Sequence, residues 1–337
     1  MPLTKISINN FRCFEGLEIS LSPGINFFYG ANGSGKTSIL EAVFIFSSGK
    51  SFKSSNLTSL IKHNRNNFLL KAYDGKRGYV AEIEKNKNKS ISVLLNNNKI
   101  VTSKLIKEFP CTPIHNNTFS FADASPDFRR KLLDRSIFIA EEEFSRTWFS
   151  YYKALKQRNH MLKNNRISDI YAWNSKLSQD GEMLSKLRNN FFDKTLQEFK
   201  ILLKRLEPNN IFDFFESISI NFSQGWSEEN TLFQSLEKNE QKDLKRKTTT
   251  EGPHKSDIKF LINEIDARQI LSRGEQKFFS ILWSCAQHEV LKKHYQIQAS
   301  LIIDDIRSEL DDRVFSLFIE LLKHIENQVI FSCIEDC

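Results

Sequence analysis

The sequence predicts an α/β fold in which a parallel sheet is covered by helices and the chain is interrupted by a helical insertion. Apolar strands alternate with helical patterns at both ends of the chain, and a long middle stretch has helical periodicity alone. We expect residues 1–120 and 216–337 to form the α/β part and residues 121–215 the insertion. With 337 residues, 40% of them apolar, the chain can form a core in each part.

The first hundred residues predict a lobe rich in strands. The opening "LTKISINNFRCFEGLEISLSPGINFFYG" alternates apolar and polar residues around turn-forming stretches, which predicts two or three strands. The stretch "TSILEAVFIFSSG" follows with apolar residues at helical spacing and ends at Gly49. Residues 68–101 alternate again around the polar turns "DGKRG" and "KNKNK" and predict hairpins.

The middle of the chain predicts two long antiparallel helices. Apolar residues fall on one helical face from Phe128 to Leu162, and a second series runs from Trp173 to Leu206 before Pro208. Each helix would have about 30 residues and a length of roughly 45 Å. We interpret the aromatic stripe as the seam along which the two helices pack.

Strands and helices alternate again after the insertion. "SISINF" and "SDIKFLI" predict strands, and the apolar run after "LSRGEQK" predicts a helix. "SLIID", "RVFSLFIELLKHI" and "QVIFSC" then predict a strand, a helix and a strand. This order is typical of a parallel sheet that is covered on both faces.

Composition excludes several classes of protein. The five cysteines form no CxxC pair and the seven histidines form no HxxxH or HxH set, so we expect neither a disulfide framework nor a zinc site. No apolar stretch approaches the length that spans a membrane, and the first residues lack the pattern of a signal peptide. We therefore expect a cytoplasmic protein with no membrane partner.

Positive charge is concentrated at the front of the chain. Residues 1–120 carry 16 Lys and Arg against 7 Asp and Glu, whereas residues 216–337 carry 15 against 21. A basic excess favours a polyanion partner such as DNA, whose backbone could follow Lys76, Arg77, Lys85, Lys87 and Lys89. A bias towards Lys and Asn, visible in "KNKNK" and "LLNNNK", is the alternative explanation.

The motif with the highest specificity is "GANGSGKT", which matches GxxxxGK[ST] and stands between a predicted strand and a predicted helix. Its glycines let successive backbone N–H groups face a β-phosphate, Lys36 reaches the β and γ oxygens, and Thr37 holds Mg²⁺. The residues expected to contact the nucleotide here are Gly30, Ala31, Asn32, Gly33, Ser34, Gly35, Lys36, Thr37 and Ser38.

The apolar strand in "SLIIDD" ends in two carboxylates. We expect Asp304 to orient the ligands of Mg²⁺ and Asp305 to polarise the attacking water. A plain turn is the alternative for two aspartates alone, but the phosphate-binding motif in the same chain favours the catalytic interpretation.

"LSRGEQK" places a serine and a glycine where a helix begins. Ser272 can cap this helix, and Gly274 leaves no Cβ near its free N–H groups, so an anion could bind there. An ordinary serine cap is the alternative. The role of Arg12, in "NFRCF", has two explanations as well: it could reach the phosphates, or it could be a surface arginine beside a turn.

In this order, the phosphate-binding motif, "LSRGEQK", "LIIDD" and "SELD" resemble the nucleotide-binding heads of the ABC and SMC class. The resemblance implies a P-loop ABC/SMC-like ATPase head with an inserted α-helical domain. It also implies that Ser272 and Gly274 face the γ-phosphate held by Lys36 of a second copy, and it adds Asp311 to the residues expected at the nucleotide.

Further stretches are similar to the RecF recombination-mediator family: "INNFRCFEGLEI", "GKSFKSSNLTSLIKH", "SPDFRRKLLD", "YYKALKQRNHMLK", "EGPHKSD" and "DDIRSELD". The resemblance implies a bacterial ATPase that uses ATP and Mg²⁺ and forms ATP-dependent homodimers on double-stranded or gapped DNA without sequence specificity. In that family the protein works with RecR and RecO to place RecA on gapped DNA.

Some residues depart from the family's pattern. Glu275 stands where Gln is frequent, Lys255 where Arg is usual and Ser332 where a threonine is common. Because Asp305 is one methylene shorter than the glutamate of ABC heads, we expect slow hydrolysis. The role of His254 stays open between catalysis and support of the "GPHK" turn. The rival functions are the ATPase subunit of a transporter, a metabolic kinase and a non-catalytic DNA-binding scaffold.

Overall fold

The computed structural model describes residues 3–115, 118, 124–165, 170–206, 217–307 and 309–333. The chain forms two compact units, which we call the first unit (residues 1–120 and 277–337) and the second unit (residues 121–276). Both predicted boundaries, after residues 120 and 215, lie outside the described residues. Within the described ranges, no helix combines the length and the apolar character that crossing a membrane requires.

An antiparallel sheet of six strands belongs to the first unit. Its strands are β1 (Lys5–Phe11), β2 (Phe14–Ser20), β4 (Asn67–Asp74), β5 (Tyr79–Asn86), β6 (Ser92–Leu95) and β7 (Asn98–Lys99), in the spatial order β2-β1-β4-β5-β6-β7. Every second residue of β4 is buried, as expected for a sheet with one face on the core. The predicted hairpins are therefore confirmed.

A parallel sheet of four strands completes the strands of the first unit. Its strands are β3 (Ile25–Tyr29), β8 (Cys111–Ile114), β12 (Ser300–Asp304) and β13 (Val329–Cys333), in the order β3-β13-β12-β8. All residues of β8, β12 and β13 are buried, as is typical of parallel strands that are covered on both faces. The predicted parallel sheet is confirmed, with "INFFYG", "SLIID" and "QVIFSC" as three of its strands. The sequence missed β8, and the assignment of "SISINF" and "SDIKFLI" to this sheet was wrong, because these two strands pair antiparallel with each other.

Helix α1 (Lys36–Ser48) forms the centre of the first unit's core. It contacts β1 and β4 of the antiparallel sheet and β8, β12 and β13 of the parallel sheet. Its residues from Ile39 to Ser47 are all buried, which is the pattern of a helix surrounded on every side. The other helices of this unit are α2 (Thr102–Glu108), α9 (Arg273–Tyr295), of which residues 273–276 belong to the second unit, and α10 (Asp312–Lys323).

The second unit combines long helices with a small sheet. Its helices are α3 (Pro126–Ala140), α4 (Glu142–Lys163), α5 (Ile170–Leu206), α6 (Leu232–Lys238), α7 (Glu240–Arg246) and α8 (Ala267–Ile270). Its strands are β9 (Ile218–Ser223), β10 (Asp257–Ile262) and β11 (Ile265–Asp266), in the order β11-β10-β9. Hydrogen bonds join Ser150 to Asp180 and Arg158 to Asn174, so α4 and α5 run antiparallel.

Three helices occur where the periodicity predicts two. The chain is extended at Glu141 (φ −116°, ψ 124°), which divides the first predicted helix into α3 of 15 residues and α4 of 22 residues. The indole Nε1 of Trp148 donates to Asp134 at 3.1 Å, so α3 folds back against α4. Two glutamates in the first turn of α4 suit a new helix N-terminus.

The second unit is longer than the predicted insertion because residues 217–262 pair within it. β9 pairs with β10, and the Nε of Arg129 on α3 donates to Asp257 of β10 at 2.8 Å. Compactness and function need not divide a chain at the same residue. The assignment of residues 216–337 to an ATPase head therefore stays a prediction.

Candidate functional site

The loop between β3 and α1, residues 30–35, is the phosphate loop of the predicted motif. Gly30, Gly33 and Gly35 have φ values of 146°, 83° and 98°, in the region that side chains with a Cβ rarely adopt. A Cβ at Gly35 would lie 2.4 Å from Cζ of Phe14, so no larger residue fits. The loop therefore depends on its glycines to bring the backbone into this conformation.

Lys36 begins α1 and folds back over the phosphate loop. Its Nζ donates to the carbonyl oxygens of Gly30 at 2.5 Å and Ala31 at 2.9 Å. The side chain is half-buried, which leaves the ammonium group reachable. An ammonium held by two carbonyls of the same loop stands where phosphate oxygens could take over as acceptors.

Asp304 ends β12 and Asp305 follows it, at the same edge of the sheet as the phosphate loop. The register pairs Asp304 with Ser332 of β13 and Ser332 with Phe28 of β3. The Ser332 hydroxyl donates to Oδ1 of Asp304 at 2.9 Å and accepts the backbone N–H of Asp305 at 3.1 Å. The carboxyl ends of parallel strands thus place the carboxylates beside the loop, where open α/β sheets bind ligands.

A cleft of about 350 Å³ lies in front of the phosphate loop. It is lined by Arg12, Cys13, Asn32, Gly33, Gly35, Lys36, Thr37, Ser38, Lys53, Asp305 and Ser332. Seven of the predicted site residues are not among the lining residues: Gly30, Ala31, Ser34, Ser272, Gly274, Asp304 and Asp311. Lys53 and Cys13 do line it, although the motifs did not single them out; a second lysine soon after the motif helix was the available signal for Lys53.

Arg12 forms an ion pair with Glu41 at the cleft. Its Nε donates to Oε2 of Glu41 at 2.8 Å and its Nη2 to Oε1 at 2.9 Å. Hydrogen bonding to Glu41 raises the pKa of the Arg12 guanidinium above its usual range. Arg12 is therefore a cation at the cleft whose orientation is set by α1, which differs from a free surface arginine.

Ser272 and Glu275 form a capping box at the start of α9. The Glu275 backbone N–H donates to the Ser272 hydroxyl at 3.3 Å, and the Ser272 N–H donates to the Glu275 carboxylate at 2.7 Å. The residue that departs from the family's pattern thus completes the cap. Both Ser272 and Gly274 belong to the second unit, whereas the cleft belongs to the first.

Asp311 caps α10. One of its carboxylate oxygens accepts the backbone N–H of Val314 at 2.8 Å. This is the ordinary role of an aspartate before a helix. The predicted contact between Asp311 and nucleotide stays a prediction, and Ser308 of the same "SELD" stretch lies outside the described residues.

His254 belongs to a turn of the second unit, residues 251–256, which we call the braced turn. Its Nε2 lies 3.0 Å from the Thr249 carbonyl and its Nδ1 lies 2.7 Å from the Tyr151 hydroxyl. Because a carbonyl only accepts, Nε2 carries the proton and Nδ1 accepts from Tyr151. Burial lowers the pKa of His254 to about 4, so the ring is neutral and supports the turn.

One buried arginine, Arg188, holds the braced turn directly, and a second, Arg158, holds Thr249 just before it. Nη1 of Arg188 donates to the Pro253 carbonyl at 2.6 Å, and the other end of its guanidinium pairs with Asp134. Arg158 pairs with Asp243 at 2.7 Å, and both side chains are fully buried. These cations belong to the fold of the second unit.

Arg77, a member of the predicted basic surface, is paired with acidic side chains of the protein itself. Arg77 donates to Asp74 and Glu108 at 2.6 Å each, and its guanidinium lies over the ring of Tyr79. These bonds tie the hairpin turn to the end of α2. Arg77 therefore supports the lobe, and Lys76, Lys87 and Lys89 are the exposed cations of this stretch.

The sequence and the structure both match known proteins. The family model described as RecF/RecN/SMC N terminal domain matches residues 2–336. A protein of Shewanella denitrificans named "DNA replication and repair protein RecF" is 30% identical over 339 residues, which cover 99% of this chain and 92% of that protein. A protein of the same name from Pseudoalteromonas translucida is 31% identical over 350 residues, with the same coverage.

Solved structures of related proteins have a similar fold. The chain superposes with a TM-score of 0.83 and 25% identity on a structure described as "Structure of the recombination mediator protein RecF-ATP in RecFOR pathway", covering 99% of this chain and 92% of that one. The head of an Smc protein bound to ScpA, at 18% identity, shares the fold with a TM-score of 0.56. These matches confirm the predicted ABC/SMC-like α/β fold. The chain belongs to the RecF family, within the group of RecF, RecN and SMC proteins.

Proposed function

We propose that this chain is an ATP-binding DNA repair protein of the RecFOR pathway and a slow ATPase that works as a switch. The observation that carries the proposal is the phosphate loop, whose Lys36 and Thr37 share the carboxyl edge of the sheet with Asp304 and Asp305. The names of the relatives and the ATP-bound RecF structure support it.

Phosphate binding would begin at Lys36. The ammonium exchanges the carbonyl oxygens of Gly30 and Ala31 for β and γ oxygens, and the backbone N–H groups of the loop face the β-phosphate. Because half-buried charges interact more strongly than exposed ones, this exchange favours a highly charged polyphosphate over a monophosphate.

A magnesium ion fits the oxygen donors at this edge of the sheet. A threonine hydroxyl and a carboxylate are among its preferred ligands, and Asp304 has one oxygen bonded to Ser332 and the other not engaged by that hydroxyl. When bound, Mg²⁺ would neutralise charge that develops on the phosphates. Thr37 and Asp304 would hold it, while Asp305 would accept a proton from the attacking water.

The switch would need a second copy of the chain. In the capping box the Ser272 oxygen accepts a hydrogen bond, so its own O–H is left to donate to a γ-phosphate held by another chain. Gly274 keeps the helix mouth open to such a ligand. Two copies would close around ATP and separate after hydrolysis removes the shared phosphate.

DNA would bind through charge rather than sequence. The first 120 residues carry an excess of nine positive charges, from 16 cations less 7 anions. Contacts between lysines and phosphates carry no base information, so duplex and gapped DNA would bind without sequence specificity and more weakly at high salt. RecR, with RecO, would be the protein partner, and the complex would help to load RecA.

Nucleotide binding is tested by calorimetric titration of the full chain with ATP and Mg²⁺. We expect Lys36→Ala to weaken affinity by at least about tenfold, since it removes a charge-assisted bond to the phosphates. Lys131→Ala, at an exposed lysine of the second unit, is the control and should bind as the wild type does. Equal binding by Lys36→Ala would refute the assigned role of the phosphate loop.

Dimer formation is tested separately by light scattering with and without ATP. Ser272→Arg should keep ATP binding and lose the ATP-dependent dimer, because the larger cation blocks the helix mouth. Ser227→Arg, at an exposed serine of the same unit, should still form dimers. Normal dimers from Ser272→Arg would contradict the switch and leave nucleotide binding intact.

A further inference from the structure

Three segments of the first unit meet at one carboxylate, that of Glu41 on α1. The side chain is 1% exposed. Its two oxygens accept Nε of Arg12 at 2.8 Å and Nη2 of Arg12 at 2.9 Å, and the hydroxyl of Ser51 donates to Oε1. A buried carboxylate with a bidentate arginine partner is among the strongest hydrogen-bonded groups in a protein. Glu41 is thus a fixed point that joins the loop before β2, the motif helix and the segment after it.

The first branch of this arrangement runs to Arg12. Arg12 has a φ of 52° in the left-handed region, and its backbone N–H donates to the Leu60 carbonyl at 2.8 Å. The bond to Glu41 uses Nε and Nη2, which leaves Nη1 as a further donor of the guanidinium. Because Arg12 lines the cleft, Glu41 sets the direction in which this remaining donor points.

The second branch runs to Lys53 through Ser51. The Ser51 oxygen accepts the backbone N–H of Lys53 at 2.9 Å and of Ser54 at 2.8 Å while its O–H donates to Glu41. The hydroxyl therefore folds residues 51–54 into a turn that is anchored to α1. Lys53, like Arg12, lines the cleft.

We propose that Glu41 is a positioning residue for polyphosphate binding, which fixes Arg12 and Lys53 at the cleft so that both cations meet the phosphates gripped by Lys36. The inference rests on the proposed function, since it assumes a nucleoside triphosphate in the cleft. Besides Lys36, two further cations, Arg12 and Lys53, would then contact the phosphates, and the Glu41 carboxylate would hold both in position. Holding the two side chains in advance reduces the entropy that binding would otherwise cost.

The alternative for Glu41 is a purely structural role, and affinity separates the two. Glu41→Gln keeps the size of the side chain, but its amide nitrogen cannot accept from Arg12 and its charge is lost. A structural residue would lower the free energy of unfolding and leave the affinity of the folded protein unchanged. A positioning residue lowers the affinity through Arg12 and Lys53.

The experiment is a double-mutant cycle on the full chain, titrated with ATP and Mg²⁺. We expect Glu41→Gln and Arg12→Ala each to weaken affinity about tenfold, which is the effect of one charge-assisted bond, and the double variant to lose less than the product of the two. Glu289→Gln is the matched control, because Glu289 is a buried carboxylate, 2% exposed, outside the residues that line the cleft. It should bind as the wild type does.

Two outcomes would overturn the inference alone: wild-type affinity in Glu41→Gln, or effects of Glu41→Gln and Arg12→Ala that multiply in full. A wild-type chain that binds no nucleotide would overturn the proposed function, and this inference with it. If Glu41→Gln does not fold, Ser51→Ala decides, because it breaks only the Lys53 branch. We expect it to weaken affinity about threefold, about half the free energy of a tenfold loss, and unchanged affinity would refute the branch.

Discussion

The phosphate loop and the braced turn both combine glycine with charged side chains nearby, and the charged groups have opposite roles in the two places. At the phosphate loop Asn32 and Gly33 are exposed, Lys36 is half-buried, and the residues line an open cleft. Beside the braced turn, Arg158 and Asp243 are wholly buried, paired with each other and bonded to Thr249 and Thr250, which precede the turn. Charged residues are available to a ligand where solvent still reaches them, and they stabilise the fold where they are buried and bonded to one another.

The largest effect that would test this comparison is on stability, in the second unit. Arg158→Met leaves the Asp243 carboxylate buried without its partner, and we expect a loss of about 3–5 kcal/mol in the free energy of unfolding. Lys131→Met, whose ion pair with Asp127 is exposed, should change it by less than about 1 kcal/mol. Urea unfolding followed by circular dichroism measures both, and equal losses would show that burial does not distinguish the two ion pairs.

Two glycines provide the next test, since both have a left-handed φ. A Cβ at Gly225 would lie 2.3 Å from the Gly252 carbonyl oxygen of the braced turn, whereas a Cβ at Gly33 meets nothing within 4 Å. We expect Gly225→Ala to cost about 3 kcal/mol or more, from overpacking and strain together, and Gly33→Ala about 1 kcal/mol from strain alone. Thermal unfolding of the two variants should rank them in this order, and the reverse order would contradict it.

Acid provides a third test, because each unit has one buried neutral histidine. His288 bonds to Thr112 at 3.0 Å and Asn327 at 2.9 Å, and burial lowers its pKa to about 3, as it lowers that of His254 to about 4. Below the ordinary pKa of 6.5 the unfolded chain binds the extra protons, so lower pH favours unfolding. We expect each histidine to cost about 2 kcal/mol between pH 7 and pH 5.

The measurement is the change in unfolding free energy between those two pH values. His254→Gln and His288→Gln should each reduce that change, whereas His63→Gln, at an exposed histidine, should leave it as it is in the wild type. A smaller change in His288→Gln would show that the first unit also depends on a buried polar network outside the residues that line its cleft. If neither substitution altered the pH dependence, the two histidines would not be buried in the neutral form.

The smallest effect on stability is expected at the cleft. The Lys36 ammonium donates to two carbonyl oxygens of its own loop, and its side chain is half-buried. We therefore expect Lys36→Ala to change the free energy of unfolding by about 1 kcal/mol or less, although it weakens nucleotide binding. A loss as large as that of Arg158→Met, in the same urea titration, would mean that Lys36 serves the fold.

Sequence patterns predict the elements of this molecule that depend on residues close together in the chain. The phosphate loop, the strand before Asp304 and the hairpins stand where the sequence places them, because each is encoded by adjacent residues or by a short period. The extended residue at Glu141 was missed, because helical periodicity continues across it while packing against Trp148 divides the helix. The sequence predicted that Ser272 caps a helix, but it did not predict that Asp311 does.

Long-range pairs could not be predicted from one sequence. Arg12 and Glu41 are 29 residues apart, and Arg158 and Asp243 are 85 residues apart, so no spacing rule links them. For the same reason the sequence did not predict that Lys53 lines the cleft. Nor did it predict that Arg77, expected on a basic surface, is bonded to Asp74 and Glu108. A charge pattern counts cations, but only the fold decides which of them are already neutralised.

The place of β13 in the parallel sheet has a consequence for how the protein is made. β3 carries the phosphate loop, and in the sheet order its neighbour is β13, which the ribosome synthesises about three hundred residues later. Until Val329–Cys333 emerges, β3 has no parallel strand beside it, so the nascent chain cannot assemble this edge of the sheet. Translation that stops early therefore yields a polypeptide with the motif but without the strand that pairs with β3, and we expect such fragments to stay unfolded at this edge and to be degraded.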